Sequence, residues 1–292
     1  MKILVCIKKI LADEGDIFIK DKGIEKECLI YKFNPHDMNA FCEGIAVKNN
    51  HTGSVLDIVT VDGSDSEPFI RLLLVSGGDN GHRLWDAGLT EGTELDNTVI
   101  AEILSNFIQA NKYDLVLFGS RSDYFGAGSL PLIVGCKLGI PAITHVTQIV
   151  QSNDGMWIHK MLEKGRRVVY HCKPKLVLSF ECCNPVDLQE DMEKLIKSHF
   201  VPINVVPFRD LGIKESFIKG NINKIEYFYA KPRSKYVLVP ESDNVDVRLE
   251  FLMSGGLGKK DSGVIEGEPN KVAEEICKNL TQRNLFKGIS NL

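Results

Sequence analysis

Short apolar runs alternate with amphipathic segments along the first 150 residues of this 292-residue chain. The strand candidates are Ile3–Ile7, Val55–Val61, His82–Trp85 and Leu115–Phe118, and the helix candidates are 37–48, 65–75, 95–109 and 127–138. Short apolar runs suit strands that are buried on both faces. Their alternation with helices predicts an α/β fold with a parallel sheet covered on both sides.

A second pattern follows, in which strand-like segments succeed one another without helices. A strand over 142–150 leads into a hairpin over 156–172 that turns at Lys164–Gly165, and another strand covers 175–183. Gly after a polar residue is a common turn signal. The stretch 145–183 therefore predicts a β-rich extension of the sheet.

Composition places the chain among ordinary globular proteins, with 43% hydrophobic and 25% charged residues. The net charge of -4 and the lack of a long basic block argue against nucleic acid as a partner. No apolar run approaches the roughly 20 residues of a membrane span. The start "MKILVCIKK" lacks the length and cleavage site of a signal peptide. We therefore expect a cytoplasmic protein without membrane insertion.

Cysteine and histidine spacing indicates no metal site. The chain has 8 Cys and 7 His, but no C-x-x-C, H-x-x-x-H or H-E-x-x-H pattern. Cys6, Cys136 and Cys182 lie in apolar contexts, so we expect reduced, buried thiols there. No nucleophile, base and acid arrangement can be identified either, and no catalytic residue is predicted.

One glycine-rich stretch has the form of a phosphate-binding loop. In "LFGSRSDYFGAGSLPLIVGCKLGIPAI", residues 117–143, an apolar strand ends at Gly119 and a helical run follows the glycines. Backbone N–H groups at a helix N-terminus bind anions without any side chain. The stretch matches neither G-x-x-x-x-G-K-[ST] nor G-x-G-x-x-G. It could be an unusual nucleotide site, a degenerate one or a tight turn.

A set of motifs resembles one family in order and spacing. The motifs are "MKILVCIKKI", "FNPHDMNAFCEGIAVK", "LVLFGS", "LGIPAITHVTQI", "RDLGI" and, near the end, "GVIEGEPNKVAEEICKNL". Together they resemble the β subunit of electron-transfer flavoproteins over most of residues 1–214 and 261–283. The resemblance implies a Rossmann-like adenine-nucleotide fold that pairs with an α-type subunit. It also implies electron exchange with a dehydrogenase, commonly one for acyl-CoA, or a reductase.

The resemblance also implies cofactors and the residues that contact them. Most of the FAD would be held by the α-type subunit, and this chain would hold AMP or, in electron-bifurcating members, a second FAD. By position, the nucleotide contacts fall on Cys6, the segment Asn34–Asp37, Val61 and the loop from Tyr124 to Leu130. Asn34 and Asp37 flank a helix start, where helix capping is an alternative role.

The loop keeps the family's length but changes its chemistry. The family reads close to G-R-Q-A-I-D-G-D-T-G-Q-V-G, whereas here Tyr124 and Gly126 replace two Asp, Ala127 replaces Thr and Ser129 replaces Gln. Backbone N–H groups from 126 to 129 could still bind phosphate, and Arg121 could neutralise it. The candidate site residues in this loop are Gly119, Arg121, Gly126, Ala127, Gly128, Ser129 and Leu130. AMP, FAD and an empty site all remain open.

Residues 184–203 correspond to the family's partner-recognition segment. The family's lysine run is replaced by Asp187, Glu190, Asp191 and Glu193, which predicts a partner with a basic surface. Leu188 or Leu195 is the candidate apolar anchor, and an ordinary amphipathic helix is the alternative.

The domain prediction separates a nucleotide-binding domain, 1–204, from a C-terminal arm, 205–292, that packs on the α-type subunit. The arm contains a strand-like piece, Tyr236–Val239, and ends in a helix with Val272, Ile276 and Leu280 on one face. Folding back on its own domain is the alternative for the arm.

Three functions compete. The leading one is a β-type subunit of a heterodimeric electron-transfer flavoprotein. The second is a nucleotide-binding structural or regulatory subunit that has lost redox use. The third, a self-standing nucleotide-dependent enzyme, lacks a nucleophile, a metal cluster or an intact phosphate loop.

Overall fold

The computed structural model describes residues 1–12, 18–20, 23–24, 29–86, 89, 95–122, 126–152, 154–182, 192–220, 229, 245–253 and 267–282. The strands are β1 Lys2–Cys6, β2 Lys9–Leu11, β3 Ile19–Lys20, β4 Gly23–Ile24, β5 Tyr31–Phe33, β6 Val55–Thr60, β7 Asn80–Leu84, β8 Leu115–Gly119, β9 Ala142–Ser152, β10 Gly155–Met161, β11 Arg167–Cys172, β12 Leu176–Phe180 and β13 Asn204–Val206. The helices are α1 Pro35–Asn50, α2 Glu67–Val75, α3 Asn97–Asn111, α4 Leu130–Leu138, α5 Met192–Ser198, α6 Glu215–Lys219, α7 Val245–Met253 and α8 Pro269–Gln282.

One large sheet organises the described part of the first 229 residues. Its strand order is β11-β10-β9-β12-β8-β1-β6-β7-β13, and every pair from β9 to β13 is parallel. The chain builds β1, β6 and β7 in one direction and then places β8 on the other side of β1. This reversal puts the switch point between β1 and β8, where an open α/β sheet binds its ligands. The predicted α/β fold with a parallel sheet is confirmed.

The two faces of the sheet are buried by different helices. Successive side chains of a strand point to opposite faces of the sheet, so β1 contributes side chains to both. Ile3 and Val5 pack in a cluster with Phe41 of α1, whereas Leu4 packs with Val99 and Leu104 of α3. All of these side chains are at most 2% exposed. The continuous apolar sequence of β1 is therefore explained by burial on both sides.

Helix boundaries follow local backbone chemistry. α1 begins at Pro35, which is suited to a first turn because its missing N–H would have no helical partner. α3 begins two residues later than predicted, because the Asp96 side chain accepts a hydrogen bond from Thr98 N and caps the helix. α2 starts at Glu67 after a short 3₁₀ turn over Ser64–Ser66.

The predicted start of α4 at Ala127 is wrong. Gly126 and Gly128 have φ angles of 60° and 59°, in the left-handed region. A right-handed helix requires negative φ. α4 therefore begins only at Leu130, and residues 126–129 form part of a loop.

The β-rich extension forms as predicted. β9, β10 and β11 are antiparallel, and β11 is the edge of the sheet. The hairpin turns through Glu163–Gly165, with Lys164 and Gly165 at positive φ, before β12 returns to the parallel sheet.

The chain divides into two compact units, Met1–Tyr229 and Ala230–Leu292. The division differs from the border expected at 204/205, because β13 joins the sheet beside β7 and Phe208 and Ile213 are buried in the core. In the second unit the structure describes α7, α8 and the residues just before α8. The predicted strand Tyr236–Val239 lies outside the described residues. Across the described residues, we find no helix with the length and apolar character needed to span a membrane.

Candidate functional site

Loops from four parts of the chain surround one cleft at the switch point, with a volume of about 320 Å³. It is bordered by the segment after β1, the start of α1, the end of β6 with the following loop, and the loop between β8 and α4. Ten of the eleven predicted nucleotide contacts line it: Cys6, Asn34, Asp37, Val61, Gly119, Arg121, Ala127, Gly128, Ser129 and Leu130. Cavities of this size are typical of sites that bind small molecules.

Asp37 joins two of these loops. Its carboxylate accepts hydrogen bonds from the backbone N–H of Lys8 at 2.8 Å and of Gly119 at 3.0 Å. The bonds tie the first turn of α1 to the ends of β1 and β8, on both sides of the switch point. Burial raises the pKa of Asp37 to about 7, against the opposing effect of these hydrogen bonds and of the Asn34 side chain.

Asn34 lies at the N-cap of α1 without capping it. Its Nδ2 donates to the backbone oxygen of Arg121 at 2.9 Å, and no side-chain bond to the helix backbone forms. The residue is 2% exposed, and its Oδ1 atom has no hydrogen-bond partner among the described residues. A buried acceptor without a donor is costly. Its position in the cleft lining suits a ligand that donates a hydrogen bond.

The loop before α4 lines the cleft, and several of its backbone donors have no described acceptor. No described group accepts a hydrogen bond from the N–H of Ala127, Gly128, Ser129 or Leu130. N–H groups at the start of a helix have no helical partner and favour anions. A Cβ on Gly128 would approach the Ser120 carbonyl oxygen to 2.7 Å, so the loop requires glycine there.

Gly126 does not belong with this group. Its N–H donates to the carbonyl oxygen of Ser122 at 2.8 Å, and the residue is not part of the cleft lining. A Cβ on Gly126 would meet nothing within 4 Å. The expectation that its N–H could face a phosphate is therefore wrong, because a turn within the loop already uses that donor.

The sequence did not single out Lys9, although it lines the same cleft. Its ammonium group forms ion pairs with Asp62, at 3.4 Å, and with Asp65. It also lies over the Tyr31 ring, 4.7 Å from the ring centroid. Two lysines directly after the first strand, at the carboxyl end of a parallel sheet, are the signal that could have identified it.

His36 connects the cleft to the chain beyond β12. Its Nδ1 accepts a hydrogen bond from Cys182 N at 3.0 Å and lies 3.0 Å from the Ser120 hydroxyl. Glu181 Oε2 is 3.6 Å from the same nitrogen. Because hydroxyl and carboxylate both approach Nδ1, the imidazole does not relay a proton between them. The cluster holds loops in place.

The segment 184–203, which the sequence predicts to recognise a partner, is described in part. Leu188 lies outside the described residues. Leu195 is half-buried in α5, whereas Met192, Ile196 and Phe200 are 71%, 58% and 81% exposed. These three apolar side chains were not singled out from the sequence.

The prediction that the thiols of Cys6, Cys136 and Cys182 are buried is correct for only one of them. Cys6 is buried in the cleft wall, and burial followed by the charge of Asp37 raises its pKa well above its ordinary value. Cys136 and Cys182 are exposed, contrary to the prediction of buried thiols. The apolar neighbours of these two residues do not enclose their own side chains.

Comparison with known proteins identifies the same family that the sequence motifs resemble. The model of the electron transfer flavoprotein domain matches residues 28–181. The β subunit of the electron transfer flavoprotein from Bacillus subtilis (strain 168) is 24% identical over 78% of this chain and 87% of that protein. The corresponding subunit from Methylophilus methylotrophus is 23% identical over 82% of this chain and 92% of its own length.

A relative from a reductase complex is also similar. Subunit CarD of the caffeyl-CoA reductase-Etf complex from Acetobacterium woodii is 22% identical over 78% of this chain and 86% of that subunit. The matched domain covers more than half of the chain, including the ends of β8 and β12 and the start of α1. The chain therefore belongs to the electron transfer flavoprotein family, among its β subunits.

Proposed function

We propose that this chain is the β-type subunit of a cytoplasmic, heterodimeric electron-transfer flavoprotein and that its switch-point cleft binds an adenine nucleotide. The heterodimer passes electrons between a flavin and a partner dehydrogenase, such as one for acyl-CoA, or a reductase. The chain supplies binding and orientation, and the FAD held mostly by the α-type subunit supplies the redox chemistry.

One observation supports nucleotide binding: the cleft lining contains both hydrogen-bond donors and a hydrogen-bond acceptor that have no partner among the described residues. The backbone N–H groups of residues 127–130, which have no acceptor in the described structure, suit a phosphate. The Oδ1 atom of Asn34 suits a hydroxyl or amino donor of the same ligand. Arg121 lines the cleft beside them and supplies a positive charge.

The cleft's size favours AMP over a second FAD. Its volume of about 320 Å³ lies at the lower end of the range for ligand cavities, and FAD is a dinucleotide about twice the size of AMP. The apolar wall, which includes Trp85, Ile100 and Phe118, suits the face of a purine ring.

The second candidate function is a nucleotide-binding regulatory subunit without redox use. The altered loop favours it, since Ala127 stands where the family has Thr and Gly126 uses its N–H inside the loop. In this alternative the cleft binds nucleotide, but the assembled complex carries no reducible flavin.

The experiment is extraction and identification of the nucleotide that copurifies with the chain alone and with its α-type subunit. AMP in the isolated chain, with one FAD gained on assembly, supports the proposal. A complex that contains nucleotide but no flavin, by absorbance at 450 nm (roughly where flavins absorb), supports the regulatory alternative. A chain that holds no nucleotide under either condition excludes both.

A further inference from the structure

Three charged side chains meet on the β6 side of the cleft, and we call them the Lys9 cluster. Lys9 Nζ is 3.4 Å from Asp62 Oδ2 and also pairs with Asp65 Oδ2. All three residues line the cleft together with Tyr31, whose ring centroid is 4.7 Å from the ammonium group. The Lys9 side chain is only 8% exposed. The cluster is therefore part of the cleft wall and not a group of solvated surface charges.

The Lys9 cluster is rich in hydrogen-bond acceptors. Two carboxylates share one ammonium group, which gives the cluster a net negative charge. Burial raises the pKa of Asp62, and the Lys9 charge and a 2.7 Å hydrogen bond from the Gly63 N–H oppose this effect. A carboxylate offers about four acceptor positions, and these two described contacts occupy only part of them. A donor on a ligand would satisfy the remainder.

The β8 side of the cleft has the opposite electrostatic character. Arg121 and the backbone N–H groups of residues 127–130 lie in the loop that follows β8. β1 lies between β8 and β6, and because neighbouring strands are about 4.8 Å apart, the two sides are separated by roughly 10 Å. Donors and positive charge attract a phosphate, whereas the Lys9 cluster repels it. These charges orient a nucleotide with its phosphate toward α4.

The separation of the two sides decides which part of the nucleotide faces the Lys9 cluster. The ribose is joined directly to the phosphate, so its hydroxyls stay near the β8 side. Asn34 is bonded to the Arg121 loop there, and its Oδ1 atom, in a residue that is 2% exposed, has no described donor. This buried acceptor is independent support for a ligand with donor groups in the cleft. The base, which is farther from the phosphate, extends toward β6.

The outer edge of adenine complements the Lys9 cluster. Its 6-amino group is a donor, and the adjacent ring nitrogen is an acceptor. Carboxylates accept from the former, and an ammonium group donates to the latter. We propose that Asp62 and Asp65, positioned by Lys9, bind the 6-amino group of adenine and thereby select adenine nucleotides over purines that lack it. The inference rests on the proposed function and names the residues that recognise the base.

The test compares AMP with purine riboside 5′-monophosphate, which lacks only the amino group. Each ligand competes with labelled AMP for the full-length chain paired with its α-type subunit. The variants are Asp62→Ala and Asp65→Ala, each of which leaves one carboxylate to the buried Lys9 ammonium. The control is Glu67→Gln, because the Glu67 side chain is 23% exposed and pairs with Arg83 at 3.0 Å but does not line the cleft.

Wild type and Glu67→Gln should bind AMP at least tenfold more tightly than purine riboside 5′-monophosphate, because hydrogen bonds to ionised groups are strong. In both aspartate variants the affinity for AMP should fall until the preference is below about threefold, while the affinity for the other ligand stays near that of wild type. Both ligands require the same folded cleft, so the ratio of their affinities separates recognition of the base from a general loss of stability.

A preference that survives in either aspartate variant, or that is absent in wild type, overturns the inference and leaves the proposed nucleotide site in place. The Lys9 cluster then only joins β2 to the loop after β6. Wild type that binds no labelled AMP overturns the proposed function itself. GMP is the third ligand, because guanine presents an amino group and a ring N–H to carboxylates. If wild type prefers GMP to AMP and the aspartate variants do not, the cluster recognises guanine, and the inference and the adenine assignment are both wrong.

Discussion

The side-chain amide of Asn34 donates to the backbone oxygen of Arg121 at 2.9 Å, while the oxygen of the same amide is buried without a described partner. One half of the side chain thus holds the loop after β8, and the other half is the acceptor that the proposed function assigns to a ligand. A second asparagine, Asn106, also donates to a backbone oxygen but lies away from the cleft. Its variant therefore serves as a control for the loss of a structural hydrogen bond.

Asn34→Ala should lower the affinity for the adenine nucleotide at least tenfold, which corresponds to about 1.4 kcal/mol. The variant loses an acceptor for the ligand and frees the Arg121 loop. The matched control is Asn106→Ala, because Asn106 Nδ2 donates to the Leu211 carbonyl oxygen at 3.0 Å away from the cleft. Nucleotide titration of both variants measures the difference. Equal affinities would show that the Asn34 oxygen does not contact the ligand.

Gly128→Val should remove most of the bound nucleotide, whereas Gly126→Val should retain it. Both positions have φ near +60°, so each variant bears a similar backbone strain, of roughly 1–2 kcal/mol. Only at residue 128 would a Cβ collide with the Ser120 carbonyl oxygen. The nucleotide content of the purified variants decides the matter. Loss in both variants would mean that strain alone disrupts the loop.

The buried carboxyl of Asp37 should make the fold less stable as the pH rises. Its pKa is about 7 in the folded chain and near 4 when unfolded, so the folded state binds the proton more tightly between these values. The stabilisation is present below pH 4 and is lost as the pH rises through 7. Between pH 5 and 8 the loss is roughly 2–3 kcal/mol for this group.

Urea unfolding at the two pH values measures this contribution. Asp37→Asn should flatten the difference between them, although it also weakens one of the two backbone hydrogen bonds. The control is Asp79→Asn, since Asp79 accepts a backbone bond from Leu56 outside the cleft. A pH dependence that Asp37→Asn leaves unaltered would contradict the raised pKa.

Glu190→Lys with Asp191→Lys should slow association with the partner dehydrogenase, most strongly at low salt. Opposite charges accelerate encounter, and salt screens them over about 10 Å at 0.1 M. Reversal of two exposed carboxylates elsewhere, Asp154→Lys with Asp210→Lys, controls for the change in net charge. The measurement is the rate of electron transfer at several salt concentrations. Rates that match wild type at low salt would leave these acids without a recognition role.

Deletion of residues 250–292 should lower the affinity for the α-type subunit at least a hundredfold without unfolding the first unit. The reason is that α8 is amphipathic, yet most of its described side chains, including Ile276, are exposed. An apolar stripe of this kind is stabilised by packing on another surface. Circular dichroism and binding of the truncated chain check both parts. Undiminished pairing would show that the arm does not contact the α-type subunit.

The sequence by itself determined the parallel α/β core, the antiparallel hairpin and the position of the glycine loop at a strand end. These features follow from local rules, namely the spacing of apolar residues, the proline that begins α1 and the turn at Lys164–Gly165. The resemblance of several short motifs added the family, which the domain match confirms. Each of these signals is contained within a few neighbouring residues.

Only the tertiary structure decided which groups in the cleft are used and which are left without partners. Asp37 and Gly119 are 82 positions apart, and Asn34 and Arg121 are 87 positions apart. Hydrogen bonds over such separations depend on strand order, which brings β8 beside β1. The same strand order places β13 in the first unit, and the left-handed backbone at Gly126 and Gly128 delays the start of α4. Side-chain direction and loop contacts arise from packing between distant segments, and a local pattern does not contain them.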